Sequence, residues 1–376
     1  MEKPALLMLD DGACFEGLAC GAQAEAAGEA VFTTGMAGYQ ETLTDPSFSG
    51  QLVTFTAAHI GNYGISKLDD EAPGIRAAGA IFHDLFSPRE AASFPHWRAA
   101  ESLDARLARE GVTGIRDVDT RALTLHLREH GARNAFISAL DTDRPSLLRR
   151  ARELPAMQGR DLAARVTCQA PYDYAASGMT EQAGIHTVAV IDYGVKRSIL
   201  ACLAASGMRV KVWPATVTAE ELLAARPDGV LLSNGPGDPQ PCAYAVATIR
   251  GLLGKMPMFG ICLGHQLLGL ALGAKTYKLP FGHHGANHPV RDCASGRVHI
   301  TSQNHGFCLD PDSLPRTAIP SHWNLNDNTL EGITVTDLPA FSVQFHPEAA
   351  PGPTDAQGLF ARFRAMIAET RASGAV

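Results

Sequence analysis

The chain has 376 residues, 45% of them apolar and 19% charged, with 39 acidic against 32 basic side chains and a formal charge of −7. That length exceeds what one hydrophobic core usually fills, so two domains are expected in an ordinary globular composition. An acidic balance with no basic run excludes nucleic acid as the main partner, because binding a polyanion needs clustered Lys and Arg.

The opening stretch MEKPALLMLDDG places Asp10 and Asp11 directly after a brief apolar patch. No apolar run anywhere reaches the roughly 18 residues of a membrane helix. A cytoplasmic protein with no membrane partner is the expectation. The stretches GLACGAQAEAAGEAVFTTG and QLVTFTAAHIGNYG read as strands with glycine turns. DTRALTLHLREHG reads as a helix, with Asp119 as N-cap and Gly131 as stop. This first part is of mixed α+β character. Asp69, Asp70 and Glu71 form a short acidic run that reads as a solvated turn.

From Cys168 to Gly184 the segment CQAPYDYAASGMTEQAG has no sustained period and is rich in small and polar residues, which marks a boundary. We divide the chain into domains at 1–150 and 185–376, with a linker region at 151–184. Beyond it HTVAVIDYG, KRSILACLAASG, RVKVWP, TAEELLAARP, DGVLLSNG, CAYAVATIRGLLG and MPMFGI alternate strand and helix. Such βαβ units make a mostly parallel sheet with helices on both faces, whose working residues gather at the carboxyl ends of strands. That rule points to SNGPGDP and to Cys262.

Gly260, Cys262 and Gly264 form G-x-C-x-G between a predicted strand and a predicted helix, the spacing of a nucleophile elbow with Cys in place of Ser. A cysteine after an apolar strand is ordinarily core filler; the flanking glycines instead permit a sharp bend that lifts the thiol to a helix N-terminus, where peptide dipoles favour the anion. The N–H of Leu263 would then face a developing oxyanion. The seven other cysteines (14, 20, 168, 202, 242, 293 and 308) are scattered with no C-x-x-C, so neither a disulfide framework nor a zinc knuckle is expected. A base is needed, and FSVQFHPEA supplies His346 at a strand end with Glu348 two positions on. In extended chain those two side chains share a face, so the carboxylate can take one ring N–H and leave the other nitrogen for the thiol. His283, His284 and His288 in FGHHGANH lack a metal-ligand helix spacing, and no metal site is expected there.

With GICLGHQ, HPE, SNGPGDP and SQNHGF in hand, the second part resembles the class I glutamine amidotransferase domain. The stretches TTGMAGYQETLTDPSFSGQ, HIGNYG, DTRALTLHLRE, FGHHGANHPV and NLNDNTLEG are similar to those of the small, glutamine-hydrolysing subunit family of carbamoyl-phosphate synthase, over nearly the whole chain. That resemblance implies an α/β fold, a flavodoxin-like amidotransferase domain preceded by a smaller β/β/α domain. It implies a triad of Cys262, His346 and Glu348, an oxyanion hole from Leu263 and Gly235, and glutamine contacts at Ser47, Gly235, Gly237, Leu263, Gln266, Asn304, Gly306 and Phe307. It further implies no cofactor on this chain, a large partner subunit that carries ATP and Mg, and service to pyrimidine and arginine biosynthesis. Trp323 and Thr354 depart from the family's usual residues, away from any position with a catalytic role. On the residues alone three other readings stay open: a stand-alone thiol hydrolase of γ-glutamyl compounds, which leaves the first domain without a role; a non-enzymatic scaffold; and a glutaminase serving another synthetase.

Overall fold

The structure, a computed structural model, describes residues 3–88, 94, 96–175 and 186–373. Its contacts divide the chain into two compact units, residues 1–158 with 280–285 and residues 159–279 with 286–376. The last part of the expected linker, 176–184, lies outside the described residues. Its earlier part is framework: helix Ala163–Val166 forms there, and Tyr172–Tyr174 pairs antiparallel with Met208–Pro214 as an edge strand of the second unit. Small and polar composition conceals that pairing, because an edge strand needs few apolar side chains.

In the first unit seven strands close into a barrel in the order Pro4–Leu9, Arg133–Ser138, Glu25–Thr33, Gln51–Phe55, Gly79–Ile81, Thr113–Arg116 and Cys14–Gly21. Period-two alternation in the first strand explains how helices pack on it. Leu7 and Leu9 share a core with Leu123 and Leu127 of helix Thr120–His130, while Leu6 and Met8 pack with Leu147 and Ala151 of helix Arg144–Arg152. Helix Thr120–His130 starts and stops where the sequence places its caps. Asp119 accepts from the Ala122 N–H at 2.8 Å, and Gly131 ends the helix at φ 88°.

Among the described residues of the second unit ten strands form one sheet. Its centre runs Met208–Pro214, His186–Asp192, Gly229–Leu232, Met258–Ile261 and Ala340–Val343, all parallel. Numbered by appearance, that order is 2-1-3-4-5, the flavodoxin-like arrangement. Antiparallel strands Leu330–Val335, Ala318–Asn324 and Thr276–Asp292 extend one side, with Val298–Leu309 next to the last of them at the edge. Because the central strands are buried on both faces, neighbouring residues serve different cores. Val188 and Val190 pack with Ile199, Leu203, Phe360 and Phe363 on one face; Ala189 and Ile191 pack with Leu222, Ile249 and Leu267 on the other. Among the described residues no helix is long and apolar enough to cross a membrane.

Candidate active site

Four adjacent parallel strands deliver their carboxyl ends to one edge of this sheet, and the polar residues of interest follow them directly. Asp192 leads to Lys196, Leu232 to the SNGPGDP loop, Ile261 to Cys262 and Val343 to His346. A reversal of strand order opens a crevice at such an edge.

Cys262 is the hinge residue between strand Met258–Ile261 and helix Leu263–Leu272, and its own backbone takes φ 53°, ψ −106°, a region that side chains with a Cβ rarely adopt. The two glycines make that bend possible. A Cβ on Gly264 would lie 2.2 Å from the Leu232 carbonyl oxygen, and one on Gly260 would lie 2.7 Å from the Gly264 oxygen. Strand and helix therefore approach at backbone distance. The Cys262 thiol is buried and donates to the Asn304 carbonyl at 3.5 Å. Of the amides opening the helix, Gly264 donates to Ser233, and His265 and Gln266 donate to the Cys262 carbonyl. Leu263 N–H makes no backbone hydrogen bond among the described residues outside the helix's own ladder.

His346 and Glu348 meet as expected, for a different reason. The strand stops at Val343, and His346 is held by a single bridge in which its N–H donates to the Ser302 carbonyl at 2.9 Å. Pro347 and Glu348 then form a turn closed by Ala349 N–H on the His346 carbonyl, so the i, i+2 reach comes from a turn and not from extended chain. Glu348 Oε1 lies 2.7 Å from His346 Nδ1. Nε2 is buried with no partner at full hydrogen-bond geometry, and the Cys262 side chain is near enough to act on the ring.

The same carboxylate oxygen accepts from Lys196 Nζ at 3.0 Å, and that ammonium also donates to the Ala349 carbonyl at 2.6 Å. Lys196 is 2% exposed and was missed in the sequence. Its signal was available: it follows a strand's carboxyl end in DYGVK, under the rule that singled out SNGPGDP and Cys262. Burial alone would lift the Glu348 carboxyl, but the charges of Lys196 and then His346 bring it down to about 2. Burial alone would push the His346 imidazole down; Glu348, followed by Cys262, more than reverses this and holds it above the usual histidine range. The result is a buried cation–carboxylate–imidazole chain that ends beside sulfur.

The remaining predicted residues fall into place unevenly. Gly235 packs so tightly that a Cβ would lie 2.2 Å from the Tyr193 carbonyl, and Gly237 needs φ 90°. Asn304, Gly306 and Phe307 lie on strand Val298–Leu309. Gln266 spends its Nε2 on the Phe307 carbonyl at 2.7 Å and on Gln344 Oε1 at 3.1 Å, so its Oε1 is what it can offer a ligand. Ser47 belongs to the first unit, buried on a short turn Pro46–Phe48 where its N–H donates to Asp45.

The cysteine on a strained strand-to-helix bend, and the buried histidine and glutamate following the neighbouring strand, lie within residues 189–366, which match the family model described as glutamine amidotransferase class-I. Residues 7–137 match the model of the carbamoyl-phosphate synthase small chain, CPSase domain. Carbamoyl phosphate synthase small chains from Syntrophotalea carbinolica (98% of this chain, 99% of theirs), Thioalkalivibrio sulfidiphilus (96% and 96%) and Xanthomonas campestris (99% and 100%) are each 50% identical to it. The chain belongs to the carbamoyl phosphate synthase small chain family.

Proposed function

We propose that this chain is the glutaminase subunit of a carbamoyl-phosphate synthase, working through a glutamyl thioester on Cys262. His346, kept protonated by Glu348, pairs with the sulfur as its anion. Sulfur attacks the side-chain amide carbon of glutamine, and the oxyanion is held by the Leu263 N–H together with one from the Gly235 loop. His346 gives its proton to the departing nitrogen, the C–N bond breaks, and ammonia leaves. Water then loses a proton to His346 and attacks the thioester; the C–S bond breaks, glutamate departs and the thiol is reset. Glu348 orients the imidazole and balances its charge without taking the proton, and Lys196 fixes Glu348. Gly235, Gly237, Gln266, Asn304, Gly306 and Phe307 border the substrate.

Ammonia passes to a large ATP- and Mg-dependent partner subunit, which makes carbamoyl phosphate from bicarbonate for pyrimidine and arginine synthesis. Carriage away from water keeps the nitrogen lone pair unprotonated. The observation that carries this reading is the buried Lys196–Glu348–His346 chain beside a cysteine on a strained bend. In the complex with a large subunit, Cys262→Ser is expected to cut glutamine-dependent glutamate release by at least about 10³-fold, leave ammonia-dependent synthesis intact, and abolish a glutamyl adduct seen by mass spectrometry on the wild type. Loss of both nitrogen sources together would overturn it.

A further inference from the structure

The SNGPGDP loop of the second unit lies between two pieces of backbone. On one side a Cβ on Gly235 would sit 2.2 Å from the Tyr193 carbonyl oxygen; on the other, a Cβ on Gly237 would sit 2.9 Å from the Arg160 carbonyl oxygen and 3.2 Å from Leu162 Cβ. Residues 159–162 therefore run along the loop as a strap. An isolated antiparallel bridge joins Asp161 to Gly237, and the Asp238 N–H donates to the Arg160 carbonyl at 3.3 Å. The Asp238 side chain completes the join: Oδ2 accepts from the Gly159 N–H at 2.8 Å and Oδ1 from the Gln240 N–H at 2.9 Å. This carboxylate is buried, and among the described residues neither oxygen meets a cation. Its desolvation is offset by hydrogen bonds to backbone alone. An asparagine offers one oxygen and one NH₂, so it could serve only one of the two amides. The strap is itself pinned, because Asp161 Oδ1 accepts from the Ala164 N–H at 3.1 Å and from the Tyr244 hydroxyl at 3.3 Å.

We propose that Asp238 is a positioning residue for the oxyanion hole: by stapling residues 159–162 to the loop it holds the backbone of residues 235–237 where a loop N–H meets the anion. This rests on the glutaminase reading and names a residue that reading leaves without a role. An oxyanion donor is effective because its place is fixed before the reaction begins, so the groups that support it matter as much as the donor. The start of the loop is held by the sheet and the helix after Cys262: the Tyr193 N–H donates to Ser233 Oγ at 2.9 Å and the Gly264 N–H to the Ser233 carbonyl at 3.0 Å. Its end is held by Asp238. Both oxygens of that carboxylate are engaged by backbone, so it acts through the loop and not on the substrate. Attack of sulfur on the amide and attack of water on the thioester each pass through an oxyanion. A displaced donor therefore lowers kcat whichever step limits it, and leaves ground-state binding of glutamine nearly as it was.

The test is steady-state glutamate release by the full chain in complex with a large subunit, for wild type, Asp238→Ala and Asp238→Asn, with rates taken per folded chain from the amplitude of urea unfolding. Asp238→Ala is expected to lower kcat at least about tenfold with KM within about twofold of wild type, and Asp238→Asn, which keeps one acceptor, to recover part of that loss. Should the alanine variant fail to fold, the asparagine variant carries the same test, with kcat down at least about threefold and KM held. Ammonia-dependent synthesis bypasses the hole and is expected to survive in both. A raised KM at unchanged kcat, or a kcat per folded chain equal to wild type, overturns the proposal. Wild type that forms no glutamyl adduct on Cys262 takes down the glutaminase reading and the staple's role with it, whereas an active wild type with unaffected variants takes down the staple alone.

Discussion

Lys196 and Glu348 form a buried pair, 3% and 0% exposed at their side chains, and the energetics of that pair are asymmetric. Removing one partner strands the other charge in a poor dielectric, while removing both leaves a merely polar interior. Lys196→Met alone is expected to cost about 3–5 kcal/mol of stability. The double variant Lys196→Met, Glu348→Gln should cost less than that single change, a strongly non-additive cycle readable from urea unfolding. Additive losses would mean that the lysine holds the Ala349 carbonyl and not the carboxylate's charge. At this scale the site was partly legible. Cys262, His346 and Glu348 could be singled out because spacing and residue type carry their proposed chemistry; the place of Lys196 after a strand end was legible, but its pairing rests on a partner 152 positions away and on burial, neither of which has a local mark.

The strand–bend–helix element around Cys262 stores backbone strain where the proposed nucleophile stands. Glycine is at ease at φ 53°, ψ −106°; a residue with a Cβ pays about 1–3 kcal/mol to be there. Cys262→Gly should therefore be more stable than Cys262→Ala by about 1 kcal/mol, reversing the order usual at a buried helix start, while neither releases glutamate. Thermal unfolding of the two variants decides it, and an alanine variant as stable as glycine would remove strain from the account. G-x-C-x-G announced the bend, because a 2.2 Å approach to the Leu232 oxygen leaves room only for glycine at 264. The HPE element was legible in outcome and not in cause. The sequence cannot distinguish a strand that runs to His346 from one that stops at Val343 and turns, since Pro347 suits both.

For the molecule as a whole, buried histidines set the pH range of stability. Burial, with His322 nearby, takes His265 down to about 3, and its Nε2 has no partner among the described residues that could welcome a proton. Burial takes His322 down to about 4, against the pull of Asp292. In the unfolded chain both titrate near 6.5. Below that value the unfolded state binds protons that the folded state refuses, so stability is fully present above about pH 6.5 and falls as pH drops towards 4, by up to about 1.4 kcal/mol per pH unit for each histidine. His346 acts oppositely: its contribution is complete below the unfolded value and is lost as pH rises through its raised folded one. Glu348 adds an acid loss only between about 4.5 and 2. Unfolding free energies measured from pH 6.5 to 4.5 should fall steeply in wild type and less so in His265→Gln; parallel slopes would show that His265 does not titrate on unfolding. The sequence by itself determined the parallel, doubly covered sheet of the second unit, the caps of helix Thr120–His130 and the three catalytic candidates, because periodicity, capping and motif spacing are local properties of a chain. Only the tertiary structure decided that the first unit's strands close into a barrel, that Tyr172–Tyr174 is an edge strand, and that Lys196 backs Glu348. Each of those depends on which distant segments share a low-dielectric interior, and burial and long-range pairing leave no fixed interval in a sequence.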